Sequence, residues 1–514
     1  MKIISDITPA GLPKRIKPEL LLAICLLVIG IILRMWQYAA NRSLWLDECS
    51  LALNLIHRSF AGLTQPLDYN QTAPLAFLFI QKTIIIVLGN SEFTLRLFPL
   101  MVGILSLFLM YKAAKKYLQG TAVYIALALF CLSSTLIYYS SENKQYASDV
   151  MLTLVLLLTA YPCLEDTAPS PKNYILLTVA GLVAMWMSHP SVFVMAGIGI
   201  TLAARQLFRK DWPGLLWSGL ILLLWLTSFT FLYFISLRFT AANNALTAYW
   251  AQSFMPMPPW CNWSWFSNTL INLFEKDLEL PFVSISAVLL LIGLISVLLR
   301  KWTIGLVLIL TIITTLVASG LRKYPFVGRL ILFLVPIIFL LIAEGIERIR
   351  STLANYNQFV ASFATAALTL LLLAQLVVSA INGLKNPDMH EHIRPIVEYV
   401  NHNKRSTDIV YLYYGAKPAF LYYAPFYGFK GSDFRVGVSA RSEPEKYLKD
   451  IDTLRGNARV WFVFSHNYNW GKVDEKMYYL VYLNKIGNKI DEFDVPGAAV
   501  YLYDLRAKNT RLPS

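Results

Sequence analysis

Long apolar stretches alternate with short polar connections along the first 384 residues. Lipid cannot satisfy backbone polar groups, so an apolar stretch approaching 20 residues predicts a membrane-spanning helix. About eleven such spans are predicted, at residues 19–38, 95–111, 121–139, 148–161, 174–188, 191–207, 215–237, 282–299, 303–319, 330–346 and 360–381. An odd number of spans puts the two ends of the chain on opposite sides of the membrane.

The apolar stretch 74–88 decides the orientation, because it is only marginally long enough to span. If it lies along the outer interface instead, every large Lys/Arg cluster falls on the inner side, as the positive-inside rule requires. We therefore predict an interfacial helix at residues 74–88. We also predict a cytoplasmic N-terminus, because Lys14, Arg15 and Lys17 precede the first span. The inner clusters are Lys112, Lys115 and Lys116; Arg205, Arg209 and Lys210; Arg300 and Lys301; and Arg348 and Arg350.

The pattern changes after residue 384. Residues 1–384 form the predicted membrane domain, with long outer loops at 39–94 and 238–280 that we expect to contain further interfacial helices. Residues 385–514 are more charged and mix helical with β-type stretches, which predicts an extracytoplasmic α/β domain. Its aromatic residues either line an acceptor groove or pack the domain, and packing is the favoured interpretation.

Composition agrees with a membrane protein. Hydrophobic residues make up 56% and charged residues 15%, against about 25% charged in ordinary soluble domains. The net charge is +14, and most Lys/Arg clusters lie at the predicted inner ends of the spans. We therefore expect membrane lipids as neighbours and no nucleic-acid partner. The five cysteines form no metal-like cluster. Cys49 and Cys261 lie in the two long outer loops, and free thiols are favoured over a disulfide.

Two adjacent acids, Asp47 and Glu48, follow the first span. At a membrane surface they could serve as a general base and an orienting group. The alternative is the first turn of a helix, where acids complement the helix dipole. Taken by itself, the pair favours the structural alternative.

The next two outer connections carry further polar residues: Glu142, Lys144, Tyr146 and Asp149 in the first, and His189 in the second. Asp149 begins a span, where an acid is either a capping-region residue or part of a site, and the sequence leaves both open. A single histidine in a turn is more often an interfacial hydrogen-bonding group than a catalyst.

The fifth outer connection contains Arg322, Lys323, Tyr324 and Arg329. Three cations on the outer face run against the positive-inside rule and therefore need a reason. Arg329 lies at membrane-surface depth, where it could bind a phosphate through two hydrogen bonds or simply snorkel to the headgroups. Acids and cations thus collect on one face, as expected for a site that binds an anionic lipid and activates a nucleophile. Transporters place such groups near the midplane instead.

Short motifs occur in a fixed order along these loops. They are residues 44–48 (LWLDE), 71–74 (QTAP), 89–92 (GNSE) with Arg96, 144–146 (KQY) with Asp149, and 324–329 (YPFVGR). The ordered set resembles the GT-C glycosyltransferases, in the family-39-like group of protein O-mannosyltransferases and aminoarabinose transferases. The resemblance covers the membrane part, about three quarters of the chain.

This resemblance implies an inverting transferase of the cell envelope, in the plasma (inner) membrane, with a polyprenyl-phosphate sugar as donor. The acceptor would be a lipid, a cell-envelope glycan or a protein. In this family the first-loop aspartate is the base, which is Asp47 here, with Glu48 beside it. Arg329, with Lys323 or Lys144, would hold the lipid phosphate. The remaining substrate-binding candidates are Glu142, Tyr146, Asp149, His189 and Tyr324.

One departure concerns metal. Aminoarabinose transferases carry a Glu-Lys pair just before the proline of the first-loop segment, whereas residues 69–74 have neither. We therefore predict metal-independent transfer without a cofactor, with a divalent metal as the alternative.

Three other functions remain open at this point. A lipid-linked glycan transporter or flippase would show inverted repeats, and none is clear. A polysaccharide polymerase or ligase would show several arginines in a long outer loop, and residues 238–280 contain only Arg238. An inactive scaffold with the same fold is the third, and the presence of Asp47, Glu48 and Arg329 argues against it.

Overall fold

The computed structural model describes residues 17–167, 169–470 and 473–506. The membrane part consists of α1 (Pro18–Ala39), α2 (Leu46–His57), α3 (Leu75–Leu88), α4 (Glu92–Tyr117), α5 (Ala122–Leu132), α6 (Ser134–Tyr139), α7 (Tyr146–Glu165), α8 (Pro171–Met187), α9 (Ser191–Arg209), α10 (Trp212–Leu232), α11 (Arg238–Ala241), α12 (Asn244–Tyr249), α13 (Trp263–Asn272), α14 (Val283–Arg300), α15 (Trp302–Gly320), α16 (Val335–Ala354) and α17 (Gln358–Lys385). The predicted inner residues Lys14 and Arg15 lie outside the described residues.

Nine helical stretches in the described part are long and apolar enough to cross a membrane, so the chain is a multi-pass membrane protein. They are α1, α4, α7, α9, α10 with its continuation to Ala241, α14, α15, α16 with the turn that begins at Gly328, and α17. Each coincides with a span predicted from the sequence.

The other two predicted spans form shorter helices. Residues 121–139 are divided into α5 and α6 at Ser133, whose backbone leaves the helical region and whose side chain caps α6. The buried Arg34 donates to the carbonyls of Phe130 and Cys131 at the end of α5, at 3.3 and 3.4 Å. Helix α8 has 17 residues and is about 26 Å long, less than the typical hydrocarbon thickness.

Helix α16 lies at the centre of the membrane part, and its residues 335–347 are all buried. It packs against α14 on one side and against α17 and α5 on others. Short helices connect the long ones where interfacial helices were predicted. Helix α2 begins at Leu46, so Asp47 and Glu48 belong to its first turn.

The C-terminal part is a small α/β unit. Its elements are α18 (Ile393–Asn403), β1 (Ile409–Leu412), α19 (Lys417–Tyr423), β2 (Arg435–Val436), α20 (Glu445–Asp452), β3 (Val460–Ser465), β4 (Asn469–Trp470), β5 (Val473–Asp474), α21 (Glu475–Ile486), β6 (Asn488–Val495) and β7 (Ala498–Asp504). The five-stranded sheet has the order β2-β1-β3-β7-β6. Strand β1 is parallel to β2 and β3, and β7 is antiparallel to β3 and β6. Strand β6 escapes sequence prediction because half of its residues are charged, as is common on an edge strand.

The α/β unit packs directly on the loop that follows α1. The hydroxyl of Tyr423 accepts a hydrogen bond from the backbone N–H of Leu44 at 2.7 Å. Arg394 donates to Glu92 at 2.6 Å and to the carbonyl of Asn41 at 2.9 Å. These contacts join the C-terminal part to both ends of the loop that carries the acidic motif.

Candidate functional site

Tertiary contacts gather four residues from four separate segments around the first turn of α2. The Arg329 guanidinium forms an ion pair with the Asp47 carboxylate. The amide of Gln71 donates to Asp47 at 3.4 Å, and the Lys144 ammonium donates to the side-chain oxygen of Gln71. Asp47 and Arg329 keep 16% and 19% of their side-chain surfaces exposed, so both can reach a ligand.

The charges around Asp47 set its protonation state. Burial alone would raise the pKa of its carboxyl, but the positive charges of Lys144 and Arg329 outweigh burial and hold the pKa below its usual value. Burial lowers the pKa of Lys144, although the charge of Asp47 opposes that shift. Asp47 is therefore a carboxylate at neutral pH.

Two aromatic rings restrict the orientation of Arg329. Its guanidinium carbon lies 5.1 Å from the ring centre of Trp45 and 5.7 Å from that of Tyr146. The indole N–H of Trp45 donates to Glu142 at 3.1 Å. Cation–π contacts of this kind fix a guanidinium without neutralising its charge.

Glu48 faces away from Asp47 and is fully buried. Arg96 donates to its two carboxylate oxygens at 2.8 and 2.5 Å, and the backbone N–H of Asn143 donates to it at 2.7 Å. Arg96 also donates to the carbonyls of Arg42 and Ser43. This buried pair ties α2 to α4 and to the connection that carries Glu142.

Glu142 is also fully buried, but it has no ion-pair partner in the described part of the chain. Burial, reinforced by the negative charge of Glu48, raises its pKa to about 7. Its second carboxylate oxygen makes no hydrogen bond among the described residues. Glu142 therefore changes charge close to neutral pH.

The other predicted residues lie at different distances from this cluster. Tyr324 donates to the carbonyl of Leu330 at 2.7 Å and packs on Phe193. Asp149 is buried near Tyr324. Burial lowers the pKa of His189 to about 4, so this ring is neutral at pH 7. Lys323 is exposed in its turn, and its side chain makes no bond within the described ranges.

Arg329 forms part of the wall of a cavity of about 790 Å³. Its polar lining residues are Gln37, Ser134, Thr135, Tyr138, Tyr139, Lys276, Asp277, Glu279, Arg329, Ser379, Asn382, Asn386, Asp388 and His390. Sequence reasoning missed the acids Asp277, Glu279 and Asp388. The charged run at residues 275–279, just before a span, was the available signal for the first two. Burial raises the pKa of Asp277 to about 6.

The side chains around Asp47 do not fit a divalent cation. Its carboxylate is contacted by a guanidinium and an amide, and an ammonium lies next to that amide. Within the described ranges, no group of three or more His, Cys, Asp and Glu residues is arranged to hold a metal ion. In the segment that lacks the family's Glu-Lys pair, Gln71 connects Asp47 to Lys144.

Comparison with known proteins gives matches of two kinds. Residues 72–231 match the family described as dolichyl-phosphate-mannose-protein mannosyltransferase. No curated protein matches the chain significantly by sequence.

Solved structures match over nearly the whole chain. The apo structure of ArnT from Cupriavidus metallidurans has a TM-score of 0.54 at 11% identity, covering 94% of this chain and 97% of ArnT. ArnT bound to undecaprenyl phosphate gives 0.53 at 12% identity, with the same coverage. The oligosaccharyltransferase AglB from Archaeoglobus fulgidus, in complex with an inhibitory peptide and a dolichol-phosphate, gives 0.52 at 12% identity, covering 96% of this chain and 75% of AglB.

At these identities the structural matches establish the fold, and the matched segment adds a sequence relationship. The chain therefore has the fold of these membrane proteins, and its residues 72–231 match the mannosyltransferase family model.

Proposed function

We propose that the protein transfers a sugar from a polyprenyl-phosphate carrier to an acceptor, with inversion at the anomeric carbon. The observation that carries the proposal is the ion pair of Asp47 with Arg329, whose side chain forms part of the wall of the 790 Å³ cavity. A carboxylate next to a guanidinium supplies a base and a phosphate-binding group within one site. The family match and the shared fold support the same reaction class.

In this proposal Asp47 is the catalytic base. Its carboxylate takes the proton from a hydroxyl group of the acceptor, and the hydroxyl oxygen attacks the anomeric carbon of the donor sugar. The bond between that carbon and the phosphate oxygen breaks, and polyprenyl phosphate leaves with the electron pair. A phosphate is already a good leaving group, so catalysis depends mainly on positioning and charge stabilisation.

Arg329 and Lys144 are the proposed phosphate-binding residues. Arg329 pairs with Asp47, and a donor phosphate would compete with Asp47 for the guanidinium. Donor binding would thereby release Asp47 for the acceptor. Lys144 is preferred over Lys323, because Lys144 reaches Asp47 through Gln71 whereas Lys323 is exposed in its turn.

The other acids and aromatic residues have supporting roles in this proposal. Glu48 orients α2 through Arg96 instead of touching the substrate. Glu142 and Tyr146, which lie against Trp45 and Arg329, would contact the sugar or hold the phosphate-binding group in place. We further propose that the transfer needs no metal, since cations of the protein itself occupy the surroundings of Asp47.

The orientation follows from the distribution of cations. We propose that the site and the C-terminal domain lie on the outer face of the plasma membrane, with the N-terminus in the cytoplasm. The acceptor would then be a lipid, a cell-envelope glycan or a protein on that face.

The test is sugar transfer by purified protein in lipid nanodiscs, with a panel of polyprenyl-phosphate sugars. The parent is expected to release polyprenyl phosphate, and Asp47→Asn should lower the rate at least about a hundredfold with donor binding retained. Asp68→Asn is the matched control, because Asp68 lies in the same loop but pairs with Arg58 at an exposed site.

Two results would count against the proposal. One is transfer by Asp47→Asn at the parent rate. The other is donor that binds and crosses the bilayer of liposomes without being consumed, equally well in the parent and in Asp47→Asn. The second result would make a flippase the better explanation.

A further inference from the structure

A residue of the C-terminal part holds the first turn of α2. The first N–H groups of a helix have no partner within the helix. The side chain of Trp45, the N-cap residue, accepts no hydrogen bond from these N–H groups. Instead, the N–H of Leu46 donates to a carboxylate oxygen of Glu391 at 3.0 Å. Leu46 directly precedes Asp47, so this cap acts on the turn that carries the proposed base.

The carboxylate of Glu391 is fixed in turn by its own neighbours. Its side chain is buried, and its other oxygen lies 2.5 Å from Nδ1 of His466. The hydroxyl of Ser465 donates at 3.4 Å to the same oxygen that accepts from the N–H of Leu46. His466 has a φ of 51°, in the left-handed region that is costly for a residue with a side chain. Such a conformation persists only where the surrounding structure imposes it.

The backbone around Glu391 is held by the turn between β6 and β7. The N–H of His392 donates to the carbonyl of Pro496 at 2.8 Å. The next residue in that turn, Gly497, has a φ of +70°, and a Cβ there would lie 2.0 Å from the carbonyl oxygen of His390. Only glycine allows the turn to approach this closely.

The same segment also contacts the ring that orients Arg329. The ring of Trp45 lies 5.8 Å from the ring of His390 and 6.3 Å from that of His466. The guanidinium of Arg329 lies over the same indole, at 5.1 Å. Both members of the Asp47–Arg329 pair are therefore connected to the C-terminal part, through Glu391 and through Trp45.

We propose that Glu391 is a positioning residue, which caps α2 and thereby fixes Asp47 relative to Arg329. His466 and Gly497 support it. A carboxylate suits this place because it complements the positive end of the helix dipole as well as accepting the hydrogen bond. The effect on transfer rests on the proposed function, whereas the effect on α2 does not.

Hydrogen–deuterium exchange of the protein in nanodiscs measures the effect on α2 without any substrate. In Glu391→Ala, amides of peptides covering residues 44–50 should exchange about tenfold faster, as the loss of one helix cap predicts. Glu391→Gln keeps an acceptor oxygen without the charge and should lie between Glu391→Ala and the parent. Glu398→Ala, at an exposed acid of α18 in the same domain, is the matched control and should match the parent.

Kinetics on the active donor give the second reading. Glu391→Ala should lower kcat about tenfold with little change in the donor KM, and Glu391→Gln should recover part of the loss. Unchanged exchange in α2 of Glu391→Ala would overturn the inference. If that variant does not fold, exchange in Glu391→Gln equal to the parent would overturn it. If the parent transfers no sugar but the α2 amides of Glu391→Ala still exchange faster than those of the parent, the inference holds and the proposed function fails.

Discussion

Arg329 combines two features at one position: a carboxylate partner and two flanking aromatic rings. A guanidinium can bind two phosphate oxygens at once and stack on a ring, whereas an ammonium is a compact point charge. Retaining the charge is therefore not enough to retain the function proposed for Arg329.

We expect Arg329→Lys to lower the rate of sugar transfer about a hundredfold and to weaken binding of polyprenyl phosphate. Steady-state kinetics and a binding assay with the lipid phosphate alone would measure the two effects. Arg58→Lys is the matched control, because Arg58 also pairs with an aspartate of the same loop but is separate from the cavity. Equal losses in the two variants would contradict a special role of Arg329.

Glu142 predicts a dependence of stability on pH. Its pKa is about 7 in the folded protein against 4.5 ordinarily, so the folded state binds this proton more tightly than the unfolded state does. The contribution of Glu142 to stability therefore falls as pH rises from about 4.5 to about 7, and the full penalty is present above that range.

Glu142→Gln should remove this penalty and retain the acceptor for the indole N–H of Trp45. We expect its melting temperature to exceed that of the parent by roughly 3 °C or more at pH 8, and by much less at pH 5. Thermal unfolding in nanodiscs at both pH values tests this. Glu398→Gln, at an exposed site, should show no such difference. A gain that is the same at both pH values would contradict the proposed cause.

At the scale of elements, helices α14 and α16 cross at close range. A Cβ at Gly293 would lie 1.8 Å from the carbonyl oxygen of Leu341, and one at Gly345 would lie 2.1 Å from that of Leu289. Small residues at such crossings let backbones approach and gain packing energy, which is a main source of association between membrane helices.

Gly293→Ala should therefore push the two helices apart and destabilise the protein by about 1–3 kcal/mol. The melting temperature should fall by roughly 1–3 °C in a thermal unfolding experiment. Gly219→Ala in α10 is the matched control, because a Cβ there would meet nothing within 4 Å. That variant should be neutral or slightly stabilising, since alanine is the better helix former. Equal melting temperatures for both variants would contradict the close crossing.

For the whole molecule, the proposed orientation can be tested with cysteine chemistry. Cys261 is exposed in the loop between α12 and α13, whereas Cys49, Cys131 and Cys163 are buried. All five cysteines are free, so the pairing of Cys49 with Cys261 does not occur in this structure. Tyr356, between α16 and α17, is 87% exposed. It follows the C-terminal end of α16, whereas Arg329 precedes the N-terminal end.

A membrane-impermeant maleimide should label Cys261 in intact cells of a Cys25→Ser background. Tyr356→Cys should be labelled only after the membrane is made permeable. Helix α16 alone has 20 residues and extends about 30 Å, so the two positions should lie on opposite faces. Labelling of Tyr356→Cys before Cys261 would place the site on the cytoplasmic face and contradict the proposed orientation.

The sequence alone was enough to predict the nine long apolar helices of the described residues, and the outer position of the polar residues stays a prediction. Both depend on local properties: an apolar stretch must form a helix in lipid, and cations prefer the inner side. Arg329 could be nominated because the positive-inside rule disfavours cations in an outer connection, whereas the roles of Asp47 and Lys144 came from the family resemblance. The division of residues 121–139 was not predictable from apolarity, because it depends on the backbone at Ser133.

Only the tertiary structure decided how those residues combine. Asp47 and Arg329 are 282 positions apart, and no local pattern indicates that they pair. Adjacent acids in one helical turn point in different directions, so Asp47 pairs with Arg329 while Glu48 is buried against Arg96. Glu391 has no sequence signal at all, because its role comes from the packing of the C-terminal part on α2. Helix formation is a local property of the chain, whereas a site depends on distances that only the complete fold sets.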